Sequence, residues 1–260
     1  MKWLSRILAT AQFELKRSMT IQRLSAFAVL SIFPPAMTML IMYGPGLETG
    51  EPVVLLLTYM VLILSLMLWA TPNVYSELEN RSWTFVTARP GGRISVLLGK
   101  WLASTVSSMI VCIVAISLCM IAIQGQAGFE NPLRTWGIFI LLSCVACNVY
   151  ASIFSLIGVL FQRRAMIFAA GYTLVSELLL ASVPALVSKF TMRYHLLGLT
   201  DKLLGWFLPG ERLDDETLNM FISSWPQWAH WAVLLIVPVF VLSIAAYVIR
   251  YREYITTAEA

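Results

Sequence analysis

The stretch WLASTVSSMIVCIVAISLCMIAI, residues 101–123, contains no acidic or basic side chain. About 20 consecutive apolar residues in a helix are enough to cross the roughly 30 Å hydrocarbon core of a bilayer. Uninterrupted apolar runs of this length are typical of membrane-spanning helices. Residues 101–123 are therefore predicted to span a membrane.

Similar runs on both sides extend this prediction to most of the chain. There are six of them, and Glu177 is their only formally charged residue: 24–43, 53–75, 101–123, 136–161, 165–188 and 228–249. Overall, 59% of the residues are hydrophobic and 12% are charged, against about 25% charged in a typical soluble domain. This composition excludes an ordinary soluble enzyme. The predicted fold class is an all-α polytopic membrane protein with six transmembrane helices.

Residues 1–22 have a different pattern from the runs that follow. Apolar residues recur at steps of three and four, and charged residues occupy the other faces: Lys2, Arg6, Glu14, Lys16 and Arg17. This pattern predicts an amphipathic helix in the headgroup layer, with a solvated N-terminal helix as the alternative. A cleaved signal peptide is not expected. Residues 23–260 are then predicted to form a single transmembrane domain.

The distribution of Lys and Arg predicts the orientation, because basic residues are retained on the cytoplasmic side. If the N-terminus is inside, thirteen of the 18 basic residues lie on cytoplasmic segments. The five on the other side are Arg134, Lys189, Arg193, Lys202 and Arg212. Both termini are therefore predicted to be cytoplasmic. The net charge of +4 mainly reflects this asymmetry, and no pattern suggests nucleic acid as a partner.

The loop ENRSWTFVTARPGGRISVLLGKW, residues 79–101, has glycines and a Gly-Lys pair that suggest a nucleotide site at first sight. A P-loop needs two glycines with four residues between them, followed by Lys and a Ser or Thr. Here six residues separate Gly92 from Gly99, and Trp101 follows Lys100. ATP is not expected to bind through this motif.

The same loop carries the signature of a short helix over residues 76–89. Ser76 and Glu79 match a capping box, and Pro90 disfavours helix in the residue before it. The segment is too short and too charged to cross a membrane. Phe85 falls near one face with Trp83 nearby, so we interpret this helix as a docking surface in the cytoplasm. A helix that lies against the membrane is the alternative.

Three residues within the runs attract attention because membrane interiors disfavour them. Pro34 and Pro35 lie in the middle of the first run and are expected to bend or break its helix. Glu177 lies near the middle of the fifth run, where a charge is costly. It is expected to be protonated, hydrogen-bonded or paired. A transport or proton role is one interpretation, and a structural buried acid bonded to Asn148 or Tyr172 is the other.

Other candidates for chemistry are weak. Cys144 and Cys147 could hold a soft metal or cycle between redox states, although small polarisable residues also help membrane helices to pack. His195 and His230 have no companion motif, so both are interpreted as interfacial polar residues, and no metal site is predicted. Residues 189–227 form the only long outer segment and are predicted to contain two short interfacial helices.

Taken together, these features resemble the permease subunits of the type-2 ATP-binding-cassette (ABC) exporter family. The resemblance covers essentially the whole chain and includes the N-terminal "elbow" helix, the six spans, and Glu177 followed by TMRYHL at 191–196. It also includes a first intracellular loop with these residues: Glu79, Arg81, Trp83, Thr84, Arg89, Pro90, Arg93 and Leu97 to Lys100. The loop motif is moderately specific because none of its residues performs chemistry.

The resemblance implies a permease subunit of an exporter, in the cell (plasma or inner) membrane and in contact with lipid. It implies two permease chains, identical or different, that pair with soluble ABC ATPase subunits. Those subunits hold ATP and magnesium, and the permease itself has no cofactor. Residues 76–89, with Phe85 among them, would be the coupling helix that docks into the ATPase. Glu177, Pro34 and Pro35 would lie near the translocation path at the dimer interface.

Two other classes of function stay open. The first is an intramembrane enzyme centred on Glu177 or on the Cys144 and Cys147 pair. The second is a membrane anchor or scaffold for an accessory complex. No feature of the sequence selects a substrate.

Overall fold

The computed structural model of the protein describes residues 2–18, 20–42, 50–72, 77, 91–123, 131–161, 164–180, 189–204 and 225–252. Among these residues there is no strand. The helices are α1 (Lys2–Arg17), α2 (Ile21–Met42), α3 (Gly50–Ala70), α4 (Gly92–Ile123), α5 (Pro132–Leu160), α6 (Ala165–Tyr172), α7 (Met192–Leu204) and α8 (Gln227–Tyr251). A π-helical segment, Thr173–Leu180, continues α6. The all-α fold class is confirmed.

Each of the six predicted runs contains a helix. Four of these helices, α2, α4, α5 and α8, are long and apolar enough to cross a membrane. Two more stretches, Val54–Ala70 and Ala165–Glu177, are apolar but shorter within the part of the chain that the structure describes. The chain is therefore a multi-pass membrane protein, as its composition predicts.

Local sequence explains where several helices begin. Gly91 precedes α4 and has a φ of 73°, which glycine adopts without the steric penalty that a side chain would bring. Pro132 is the first residue of α5, a position where the missing N–H would have no helical partner anyway. Pro226 stands in extended conformation directly before α8. Glycine and proline thus separate the helices from their connecting segments.

The first span continues through Pro34 and Pro35 as one helix from Ile21 to Met42. A bend or a break at these prolines was expected from the sequence; the helix is not broken here, and the bend stays a prediction. Both prolines are buried, and α2 packs against α3 and α4. Each proline removes only one backbone donor. The packing along the rest of α2 is sufficient to hold the helix together.

Helix α5 lies at the centre of the bundle. Val149, Tyr150, Ala151 and Phe154 are completely buried, and α3, α4, α7 and α8 all pack against this helix. Near its C-terminal end, a Cβ atom built on Gly158 would lie 2.5 Å from the carbonyl oxygen of Thr71. The ends of α5 and α3 therefore approach each other closely enough that only glycine fits.

The N-terminal helix α1 packs against α4. Ile7 and Ala11 are buried, whereas Leu4 and Leu8 are exposed. A Cβ atom built on Gly99 of α4 would lie 2.6 Å from Cβ of Thr10. The amphipathic helix expected from the sequence is therefore present, and Gly99 allows it to lie close against the start of α4.

Candidate functional site

Most of the predicted coupling residues lie outside the described part of the chain: Glu79, Arg81, Trp83, Thr84, Phe85, Arg89 and Pro90. The structure describes the residues on either side of them. Glu77 precedes this group, and Gly91 and Arg93 follow it. These flanking residues show which helices the segment 76–89 is attached to.

Arg93 joins the beginning of α4 to the end of α8. Its guanidinium donates hydrogen bonds to the carbonyl oxygens of Arg250 at 3.1 Å and Arg252 at 3.4 Å. Arg252 in turn donates to the carbonyl oxygens of Val159 and Leu160 at the end of α5. The last carbonyls of a helix have no helical partner and carry partial negative charge, so cations stabilise them. Two arginines therefore hold three helix ends together: the start of α4 and the ends of α5 and α8. The start of α4 follows residues 76–89, the predicted coupling segment, in the chain.

Four charged side chains form a cluster, which we call the elbow cluster, where α1, α4 and the coupling segment meet. Lys100 Nζ lies 2.6 Å from a carboxylate oxygen of Glu77 and 3.5 Å from one of Glu14. Arg17 lies 3.6 Å from the same oxygen of Glu77 and 3.7 Å from that of Glu14. The cluster holds two acids and two bases, so its formal charges balance.

Burial makes the elbow cluster different from a surface ion pair. The side chain of Lys100 is 4% exposed, and those of Glu77 and Glu14 are 9% and 13% exposed. Exposed ion pairs contribute little to stability, whereas the loss of one partner from a buried pair leaves an uncompensated charge and is costly. Glu77, which lies in the predicted coupling segment (residues 76–89), is thus linked to both α1 and α4.

The sequence motif contains the residues of this contact but did not reveal their roles. Leu97 packs into a small core with Val159, Ala245 and Ile249, Gly99 permits the approach of α1, and Lys100 carries the ion pairs. The separation of Lys100 from Glu14 and Glu77 along the chain gave no sign that the three meet. Only the packing of α1 on α4 brings them together.

Glu177 is 1% exposed and lies in the π-helical segment Thr173–Leu180. Short π-helical turns are rare and occur frequently at functional sites. Tyr59 of α3 donates a hydrogen bond of 2.8 Å to Glu177 Oε2, and the backbone N–H of Arg193 donates to the same oxygen at 3.2 Å. The guanidinium of Arg193 donates to the backbone carbonyl of Glu177 at 3.1 Å.

A second tyrosine extends this arrangement into α5. The hydroxyl oxygens of Tyr59 and Tyr150 lie 2.5 Å apart. Because Tyr59 has one hydroxyl hydrogen and donates it to Glu177, Tyr150 must donate to Tyr59. The hydrogen bonds therefore run in one direction, from Tyr150 to Tyr59 to Glu177. They join α5, α3 and the π-helical segment in the interior of the bundle.

Neither of the two partners expected for Glu177 is among the described hydrogen bonds of its carboxylate, which come from Tyr59, Ser176 and the backbone of Arg193. The side-chain oxygen of Asn148 is buried and has no hydrogen-bond partner among the described residues. Pro34 and Pro35 lie on α2, which packs against α3 and α4, and their place near Glu177 at an interface between two chains stays a prediction. Tyr59 was missed because it belongs to no recognisable motif. Arg193 lies in the stretch TMRYHL, but that stretch gave no sign of a contact with Glu177.

His195 and His230 are buried and contact each other, which their interpretation as interfacial polar residues did not anticipate. Their Nδ1 atoms are 3.0 Å apart, and His195 Nε2 lies 3.0 Å from the carbonyl oxygen of Lys189. This carbonyl only accepts, so neutral His195 carries its proton on Nε2 and His230 donates from Nδ1. Gly198 makes room for the pair, because a Cβ there would lie 2.7 Å from the ring of His230. The hydrogen bond between the two histidines links α7 to α8.

Burial also affects the charge of this histidine pair. Burial lowers the pKa of His195, and its hydrogen bond to the carbonyl of Lys189 opposes that effect only in part. Both imidazoles would carry a hydrogen on Nδ1 if they were protonated, and the short Nδ1 to Nδ1 contact would then be repulsive. The contact therefore disfavours protonation of both imidazoles at once.

The cysteines are free thiols, and Cys147 lies in the same buried core cluster as Cys112 of α4. Within the described residues, no group of three or more His, Cys, Asp or Glu side chains is arranged to hold a metal ion. The described contact of Cys147 with a neighbouring helix fits a packing role.

The sequence was compared with known families and proteins. A family model described as "ABC-2 family transporter protein" matches residues 8–254. No curated protein matches the sequence significantly. The matched region runs from α1 to the end of α8 and so contains both the elbow cluster and the hydrogen bonds around Glu177.

Proposed function

The chain belongs to the ABC-2 family of transporters as a multi-pass permease, and we propose that it is an exporter subunit driven by a separate ABC ATPase. The match over residues 8–254 is the observation that carries this proposal. The sequence has no P-loop of its own, which fits a subunit that depends on a partner for ATP and magnesium. We further propose a pair of permease chains in the cell membrane.

Residues 76–89 are the proposed contact with the ATPase. The elbow cluster supports this assignment because Glu77, at the start of the segment, is ion-paired to Lys100 of α4 and to Arg17 of α1. A force applied to the segment would therefore reach a membrane-spanning helix and the elbow helix directly. Arg93, at the other end of the segment, would carry the same movement to the end of α8.

In the proposed cycle, ATP binding brings two ATPase subunits together and displaces the two coupling helices. The ion pairs of Lys100 convert this displacement into a movement of α4 and α1. Glu177 and its tyrosine partners join α3, α5 and the π-helical segment, so these elements would move as one unit. The result is the opening of a path between the two permease chains.

The experiment that tests this function is co-purification of the tagged chain from its native membranes in nanodiscs, followed by an ATPase assay. We expect a stoichiometric partner with a P-loop. Trp83→Asp and Phe85→Asp should abolish its binding, whereas the conservative control Phe85→Leu should retain it. A chain that purifies without any ATPase under mild extraction would contradict the proposal and favour the scaffold or enzyme alternatives.

A further variant separates docking from transmission. Lys100→Met changes the elbow cluster but leaves residues 76–89 intact, so we expect the ATPase to bind while its stimulation by the permease falls. Equal stimulation in Lys100→Met and in the unmodified chain would show that the elbow cluster does not transmit the movement.

A further inference from the structure

A cavity of about 240 Å³ lies between α3, α5 and α7. It is larger than the roughly 150 Å³ apolar cavity that holds benzene in an engineered protein, and smaller than the roughly 300 Å³ at which pockets for drug-sized ligands begin. Its lining is largely apolar, with Leu62 from α3, Leu142 from α5 and Leu196 from α7. Leu56 lines it too and is 48% exposed, so the cavity opens at the surface of the bundle.

Polar groups interrupt this lining at one level. Thr58 and Arg193 both line the cavity. They lie at a similar height along the bundle, because Glu177 accepts hydrogen bonds both from Arg193 and from Tyr59, the residue next to Thr58. The hydroxyl of Thr58 is buried and has no hydrogen-bond partner within the described residues. Buried polar groups are normally hydrogen-bonded, so this hydroxyl is suited to a ligand. Leu55 and Leu62 lie about one turn on either side of it along α3.

Among the described residues that line the cavity, Arg193 is the only charged one. Its guanidinium donates to a neutral backbone carbonyl of Glu177, and none of the ion pairs found among the described residues includes it. The carboxylate of Glu177 is engaged by the backbone N–H of Arg193 instead. A guanidinium offers five donors in a planar arrangement that suits carboxylate and phosphate groups.

We propose that this cavity binds a single-chain amphiphile with an anionic head group, whose alkyl chain lies among the leucines and whose head contacts Arg193 and Thr58. The volume fits one alkyl chain or part of one, and not the two chains of a diacyl lipid. The site lies within one permease chain and is separate from the proposed ATPase contact. Binding does not depend on the transport cycle and can be measured whether or not the proposed function is correct.

The test uses the full-length chain, delipidated in a non-ionic detergent, and two photoreactive probes with the same diazirine-bearing C16 chain. One probe ends in a carboxylate and the other in a hydroxyl. We expect the carboxylate probe to label peptides of α3, α5 and α7 after irradiation, and unlabelled palmitate to compete. Loss of a charge-assisted hydrogen bond weakens binding by roughly tenfold, so the hydroxyl probe should label these peptides about tenfold less.

Variants of the head-group contacts provide the controls. Arg193→Gln should reduce labelling by the carboxylate probe roughly tenfold, and Arg193→Lys should preserve most of it because the charge remains. Thr58→Val removes the hydroxyl at nearly constant shape and should weaken labelling without affecting Glu177. Arg134→Gln is the matched control, because Arg134 also donates to a backbone carbonyl, that of Leu203, but does not line the cavity.

Three results would overturn the proposal. Equal labelling by both probes would refute recognition of an anionic head. Labelling confined to the exposed faces of α2 and α8 would show that the alkyl chain does not enter the cavity. Unchanged labelling in Arg193→Gln and Thr58→Val would remove the assigned contacts. An alkyl phosphate of the same chain length, used as a competitor, distinguishes a phosphate head from a carboxylate head as the preferred ligand.

Discussion

Lys100→Met should destabilise the protein by about 3 kcal/mol. The ammonium lies 2.6 Å from a Glu77 oxygen and 3.5 Å from a Glu14 oxygen. At an effective dielectric constant of about 20, these distances correspond to roughly 6 and 5 kcal/mol of gross attraction. Desolvation of the buried charges offsets most of that gain, and loss of one partner from a buried pair typically costs about 3–5 kcal/mol. The lower end applies here because Arg17 remains beside both carboxylates.

The double variant Lys100→Met with Glu77→Gln distinguishes ion pairing from packing. It leaves Glu14 and Arg17 as a balanced pair, so we expect it to be more stable than Lys100→Met alone, by about 1–2 kcal/mol. The measurement is reversible unfolding of the full-length chain in mixed micelles, followed by tryptophan fluorescence. Lys16→Met on the exposed side of α1 is the control and should change stability by less than about 0.5 kcal/mol.

Additive effects of the two substitutions would refute this reasoning. If Glu77→Gln cost the same in the presence and absence of Lys100, the 2.6 Å contact would contribute no interaction energy. The proposed route from the coupling segment to α4 would then have no energetic basis.

Three further predictions concern other parts of the bundle. Gly158→Ala should destabilise the protein by about 1–3 kcal/mol, because its Cβ would meet the Thr71 carbonyl at 2.5 Å. The control is Gly137→Ala on the same helix, where a Cβ has open space. This control should be neutral or slightly stabilising in the same unfolding assay. Tyr59→Phe should cost about 1–3 kcal/mol, because Glu177 loses a donor and Tyr150 loses its acceptor; an unchanged unfolding midpoint would contradict the assigned bonds. Burial lowers the pKa of His195 in the folded protein, so the unfolded chain binds more protons than the folded one. The free energy of unfolding should therefore fall as the pH drops from about 8 to about 5.5. His195→Gln should make this pH profile flatter.

The helices of the fold could largely be predicted from the sequence, because a chain that crosses a membrane must satisfy its backbone hydrogen bonds internally. Runs without charge must be helical, and each of the six runs contains a helix. The amphipathic pattern of residues 1–22 likewise identified α1. The prolines of α2 do not break this helix, because packing against α3 and α4 outweighs the poor helix propensity of proline.

The contacts of the candidate site were much less accessible. Glu177 stood out because it is a lone charge in an apolar run, and Tyr172 was suggested because it lies nearby on the same helix. Tyr59 comes from another helix, and only the packing of α3 on α5 brings it to Glu177. The same holds for Glu14, Glu77 and Lys100, because charges near a membrane boundary have the same pattern whether they pair or remain solvated.

The position of α1 has a consequence for how the protein is made. Its docking surface is on α4, with Gly99 and Lys100 as the contacts, and the ribosome synthesises these residues only after α2 and α3. Until α4 has been made, the apolar face of α1 with Ile7 and Ala11 lacks the partner that buries it in the folded protein. The bonds from Arg252 to the end of α5 form later still, because Arg252 follows all of these helices in the chain. The order of translation thus makes the elbow helix a late-docking element, although it is synthesised before the helix on which it packs.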